Sequence, residues 1–178
     1  MKLFFTILML TTAVSSVAQT VRTDTLANGI YLSDSDFQKH NLTNGFNKSK
    51  SIKLLDNSSH FISIKTDSSK HKFYYDEIWG YRKNGLDWRI YNADSYQVDY
   101  VGKVCIYSLV EGMPGNTSRF LYFSTGLNTP IHPISRKTLS AAFHSNTTFM
   151  ETLKKFPITK SLTKWDKENK CYRFITWL

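Results

Sequence analysis

Between His60 and Ser124 the chain alternates apolar and polar side chains in short runs rich in aromatic and β-branched residues. Turn-forming clusters separate the runs, which is the pattern of antiparallel strands. Strands are expected over His60 to Thr66, Phe73 to Lys83, Leu86 to Tyr91, Tyr96 to Val101, Lys103 to Val110 and Arg119 to Ser124. Asn84-Gly85 sits between two of them and marks a tight hairpin. Asp67 to Lys70 and Asn92 to Ser95 read as turns, and Gly112 to Asn116 as a loop.

The pattern differs on either side of this block. Upstream, Gly29 to Ser33 reads as a short extended segment. Ser33 or Asp34 then caps a brief helix through Asp36 to Lys39, and His40 to Ser51 is polar and loop-like. Downstream, Ser135 caps a helix that carries Leu139, Ala142 and Phe143 on one side. Thr148 to Glu151 fits a capping box for a second helix, with Met150, Leu153 and Phe156 as its buried stripe and Pro157 as its end. Lys170 to Leu178 reads as a last strand. The expected fold is α+β: an antiparallel meander of about five to seven strands, with a short N-terminal helix and two late helices packed on it.

The first residues follow another rule. Lys2 leads an apolar run from Leu3 to Leu10, and Ser16-Val17-Ala18 has the small residues of a cleavage site. This is a secretory signal peptide pattern over residues 1–18, leaving 19–178 as a single α+β domain. The run is too short and too interrupted by Thr and Ser for a bilayer span, and no later stretch is long enough. No cysteine follows the expected cut, so an exported protein without a lipid anchor is expected, periplasmic or extracellular.

Composition narrows the partners. The net charge is +9, or +8 without Lys2. The lysines are dispersed, with the densest group running from Lys154-Lys155 to Lys170. A solvated, solubilising face accounts for them, and no nucleic-acid motif accompanies the charge, so no nucleic-acid partner is expected. Cys105 and Cys171, 66 positions apart, form a candidate disulfide in an oxidising compartment. The alternative is two buried thiols, because Cys105 lies inside an apolar strand pattern.

Catalytic signatures are sparse. The histidines, His40, His60, His71, His132 and His144, show no metal-ligand spacing, so no metal and no cofactor are expected. There is no G-x-S-x-G elbow and no phosphate-binding glycine loop. Asp76 and Glu77 are neighbours on an expected strand and would face opposite sides. Five N-x-S/T sequons begin at Asn41, Asn47, Asn57, Asn116 and Asn146 and mark glycan sites only in a eukaryotic host.

The remaining candidate is an aromatic surface. Trp79, Tyr81, Trp88 and Tyr91 crowd one hairpin region, and on a regular strand Trp79 and Tyr81 share a face. One reading makes that face core. The other makes it a ring-lined groove for a glycan or peptide.

Gly29-Ile30-Tyr31-Leu32-Ser33 with Asp36-Phe37 resembles the start of uncharacterised exported Bacteroidota proteins carrying a G-I-Y-L-[ST] motif. Ile78-Trp79-Gly80-Tyr81 with Gly85 resembles their central hairpin. Leu139 to Phe156, with Asn146 and Phe149, resembles their late helical pair, although Thr147 stands where a proline often follows the asparagine. The resemblance implies export and a shared fold, and it carries over no catalytic residue. Together these features point to a non-enzymatic binding or interaction module outside the cytoplasm, with a glycan, peptide or envelope protein as partner. The alternatives are a hydrolase acting on an envelope polymer or glycan, and a structural envelope component.

Overall fold

The computed structural model describes residues 28–46, 52–53, 60–65, 70–113 and 116–178. The segment expected to be a signal peptide, the turn expected at 67–69 and the centres of two expected loops, at 47–51 and 114–115, lie outside the described residues.

The architecture is α+β. Its main sheet is antiparallel, and its middle is the expected meander. Strands β6 (Gly80–Lys83), β7 (Leu86–Tyr91), β8 (Asp94–Val101), β9 (Cys105–Met113), β10 (Asn116–Ser124) and the two-residue β11 (His132–Pro133) follow one another in space as in sequence. On the other side β6 pairs with β1 (Asn28–Tyr31), and β1 pairs with β2 (Thr43–Phe46) at the edge. A second, three-stranded sheet holds β3 (Ile52–Lys53), β4 (Phe61–Lys65) and β5 (Lys70–Tyr74). Helix α1 (Asp34–Gln38) follows β1, and α2 (Arg136–Ala142) and α3 (Thr147–Lys155) follow the meander. A small hairpin, β12 (Trp165–Asp166) with β13 (Cys171–Tyr172), and a 3-10 helix over Arg173–Trp177 close the chain. Among the described residues no helix is long and apolar enough to cross a membrane.

Local chemistry explains the element ends. Asn84 and Gly85 take φ of 54° and 80°, so the β6–β7 hairpin closes in the left-handed turn that matches strand twist. Ser33 accepts from the Asp36 amide while Asp36 accepts from the Ser33 amide, a reciprocal cap for α1. Ser135 and Thr138 cap α2 in the same way. Helix α3 starts earlier than the capping-box pattern predicts: Asn146 is its N-cap, its side-chain carbonyl accepting from the Phe149 amide at 3.0 Å. The asparagine reaches the free amides first, and Thr148 is left inside the first turn.

Alternation assigns the two faces of the main sheet. Tyr31, Tyr96, Val98, Cys105 and Tyr107 point to one face, where Phe37 of α1 and Ile131 cover them. The opposite face has two covers. Ile30, Tyr81 and Ile90 pack against Ile62 and Ile64 of the small sheet. Ile106 and Phe123 pack against Leu139, Phe149 and Leu153 of the helices and against Phe174 and Ile175 of the closing 3-10 helix.

Four expectations change. The single strand expected over Phe73 to Lys83 is two strands in two sheets. Between them the Glu77 amide donates to the Tyr74 carbonyl and the Tyr74 amide donates to the Glu77 carboxylate, which closes a turn. The loop expected after His40 contains β2, whose backbone is recruited by β1 although its composition is poor for a strand. The final strand is cut to Cys171–Tyr172, because it pairs with β12 and not with the meander. In consequence Cys171 lies in the helix-side cluster and Cys105 in the cluster on the opposite face, and both are buried free thiols, not a disulfide.

Candidate functional site

A cleft of about 520 Å³ opens between the small sheet and the turn joining β7 to β8. Its lining comprises His60, Tyr74, Tyr75 and Asp76 from the first side and Ile90, Tyr91, Asn92 and Ala93 from the second. That volume lies within the range of small-ligand sites.

Each wall is built by a specific local structure. His60 enters β4 with φ of 48°, and its carbonyl accepts from the Tyr75 amide at 3.0 Å. This bond places the imidazole beside the Tyr75 ring, with centroids 6.1 Å apart. The turn after β5 then sets Asp76 at the surface next to Tyr74 and Tyr75. Across the cleft, Asn92 and Ala93 take φ of 49° and 65° and close the β7–β8 hairpin in two residues. Asparagine tolerates this conformation, whereas alanine is strained in it by about 1–2 kcal/mol. Three cleft residues therefore hold left-handed backbone without being glycine. Such conformations persist only where the surroundings fix them, and they concentrate at ligand sites.

The chemistry of the lining is mixed. Tyr74 and Tyr91 are partly exposed, the Tyr91 ring packing against the Tyr31–Phe37–Trp79 cluster on the other face of the main sheet, while Tyr75 is buried beside His60. Burial, and after it the charge of Asp94, raises the Tyr75 phenol above its ordinary range, so the hydroxyl stays protonated and able to donate. Asp76, Asn92 and His60 add a carboxylate, an amide and an imidazole, all solvent-exposed. Among the described residues the lining holds one carboxylate and one imidazole. Among the described residues no group of His, Cys, Asp or Glu is arranged to hold a metal ion.

The aromatic patch expected from sequence does not form one surface. Trp79 is buried, stacked on Phe37 at 4.6 Å, and its indole N–H donates to the Leu127 carbonyl at 3.0 Å. Tyr81 is buried on the opposite face, parallel to Trp88 at 5.9 Å, and its hydroxyl is 2.6 Å from that of Ser95. Desolvation pushes the Tyr81 phenol up to about 12. The chain bends at Trp79 ahead of β6, and this breaks the two-residue period that would have put the two rings side by side. The close approach at Gly80 accompanies the bend: a Cβ there would meet the Trp88 carbonyl oxygen at 2.0 Å. Of the four patch residues, Tyr91 alone lines the cleft.

Sequence reading also missed two polar networks in the sheet. Arg82 donates to Asp87 at 2.6 Å, and the Tyr31 hydroxyl donates to the same carboxylate at 2.8 Å. Arg89 is 4% exposed and donates to the Tyr107 hydroxyl at 2.9 Å and the Thr129 carbonyl at 2.9 Å. The rings of Trp79, Tyr91 and Tyr107 surround its guanidinium at 5.8, 5.5 and 5.5 Å. Arg89 thus holds Tyr91 on the face of the main sheet away from the small sheet, through a cation–π contact that gains strength from burial.

Comparison with known proteins adds no relative. No protein-family model, no curated protein and no solved structure matches this chain. The site must be read from its own geometry.

Proposed function

We propose that this chain is an exported, non-enzymatic binding module of the periplasm or cell exterior, and that the cleft between His60 and Asn92 takes a sugar residue of a glycan. The observation that carries the reading is the lining itself. Tyr74 and Tyr75 sit beside Asp76, Asn92 and His60 in a cleft of about 520 Å³. A pyranose ring presents one apolar C–H face and a rim of hydroxyls. Tyrosine rings suit the first, and a carboxylate, an amide and an imidazole suit the second. The left-handed residues on both walls hold these groups in place before a ligand arrives, which reduces the ordering cost of binding. The export part of the reading is supported by the N-terminal pattern at residues 1–18 and by the motif resemblance to exported Bacteroidota proteins.

The test is a glycan array followed by calorimetry on the best ligand. Tyr74→Ala and Asp76→Asn should each weaken binding about tenfold or more, the scale of an aromatic anchor or a charge-assisted hydrogen bond. Asp76 is exposed, so its substitution leaves the fold intact. A glycan bound equally well by wild type and by both variants would remove the cleft as its site.

A further inference from the structure

We propose that the segment from α3 to the closing hairpin, residues 154–170, docks on an anionic bilayer surface, with Ile158 and Trp165 entering the headgroup region. This surface is separate from the cleft and does not depend on its ligand.

Ile158 is 89% exposed and Trp165 is 47% exposed. Lysines frame both. Lys154 and Lys155 close α3, Lys160 and Lys164 lie between the two apolar residues, and Lys167 and Lys170 follow Trp165. All six are exposed, and none joins an ion pair among the described residues. Two acids share the segment, Asp166 and Glu168, so its formal charge is +6 less 2, or +4. The Asp166 carboxylate is turned into the hairpin, where it accepts from the amides of Glu168 and Asn169.

The exposed isoleucine stands on an anchored turn. The Phe156 ring packs on Trp177 at 4.9 Å, and Arg136 donates to the carbonyls of Leu153 and Phe156. The Lys160 amide donates to the Pro157 carbonyl at 3.1 Å, and the Arg173 amide donates to the Lys164 carbonyl at 2.9 Å. Trp165 is held edge-on to Tyr172 at 5.2 Å. The fold therefore presents both apolar side chains outward on backbone that is tied down at each end.

Charge and apolarity together select the partner. A lysine near an anionic leaflet strengthens partitioning by about fivefold. Tryptophan prefers the interface, and an aliphatic chain gains by leaving water. Lysine stems can lie along the acyl boundary with their ammonium groups among the phosphates. A soluble polyanion would use the lysines but offers Ile158 nothing.

Vesicle sedimentation tests this with purified protein whose N-terminus is defined by mass spectrometry. Every variant keeps that N-terminus, so any contribution from it cancels between variants. The protein should sediment with phosphatidylcholine vesicles containing about one-third phosphatidylglycerol and stay in solution with phosphatidylcholine alone. Ile158→Asp and the double change Lys154→Glu with Lys155→Glu should each weaken sedimentation about tenfold or more, with thermal melting unchanged. Equal sedimentation with both vesicle types would overturn the proposal. So would an undiminished response of Ile158→Asp together with competition by dextran sulfate, which would make the surface a polyanion site.

Discussion

The Tyr31 hydroxyl donates to the Asp87 carboxylate at 2.8 Å, tying together residues 56 apart in the chain inside the main sheet. The other carboxylate oxygen accepts from Arg82, so one buried acid serves strand β1 and the β6–β7 hairpin together. Burial first, and the Asp87 charge second, raise the Tyr31 phenol well above its ordinary range, so it remains a donor at any working pH. Tyr31→Phe should cost about 1.5–3 kcal/mol, the scale of a hydrogen bond to a charged group. Asp87→Ala should cost about 3–5 kcal/mol, because it strips a buried guanidinium of its carboxylate. Urea denaturation checks both, and a smaller loss for Asp87→Ala than for Tyr31→Phe would reverse this ranking.

Gly80 is required by space. A Cβ at this position would lie 2.0 Å from the Trp88 carbonyl oxygen, a backbone atom of the paired strand that cannot step aside. Gly80→Ala should therefore destabilise the protein by about 1–3 kcal/mol or more, the range for overpacking. At Gly126 the nearest atom to an added Cβ is 3.8 Å away, so Gly126→Ala serves as the tolerated control. Similar melting temperatures for the two variants would show that the strands separate more easily than this geometry implies.

Asp99 gives the fold a pH dependence of defined sign. Desolvation raises its carboxyl above the ordinary range, and this outweighs the opposing influence of Ser108, Arg119 and Gln97. The folded state then holds the Asp99 proton more tightly than the unfolded chain does. Its contribution to stability is full below the unfolded pKa and is lost as pH rises through the folded one. Asp99→Asn should accordingly gain stability relative to wild type at neutral pH, and the gain should shrink as pH falls through the carboxylate range. Denaturation midpoints of both proteins at several pH values measure this. A relative gain that grows toward acid would contradict the assigned direction.

Cys105 and Cys171 are buried on opposite sides of the main sheet, and desolvation is the main cause that raises both thiols above the ordinary range. Thiol reagents should react slowly with the native protein, since the thiolate is the reactive form. In denaturant they should titrate both cysteines of the chain. Finding no free thiol after unfolding without reductant would show that the two are bridged.

Much of the fold was legible because its signals are local. Asn84-Gly85 specifies a hairpin by its own φ preferences, and Ser33 and Ser135 cap helices with side chains that reach amides only three residues away. The alternating runs placed β7 to β10 because one face of each strand must be buried. Two of the misreadings share a cause: each turns on the partner a segment finds. The loop after His40 became β2 by pairing with β1, and Cys171 left the meander by pairing next to Asp166.

Local signals along the chain thus settle the α+β class, the meander order and the caps of α1 and α2. Which rings are buried and where a ligand enters depend on how the strands and sheets pair. Two irregularities account for this. The bend at Trp79 and the register shift between Val98 and Tyr100 each reverse the face that simple alternation assigns. Such a shift inserts a residue against a neighbouring strand, so it exists only once the strands are paired. The cleft has the same origin: His60, Tyr75 and Asp76 meet Tyr91 and Asn92 because two sheets pack together, and no local pattern records which edges will face each other.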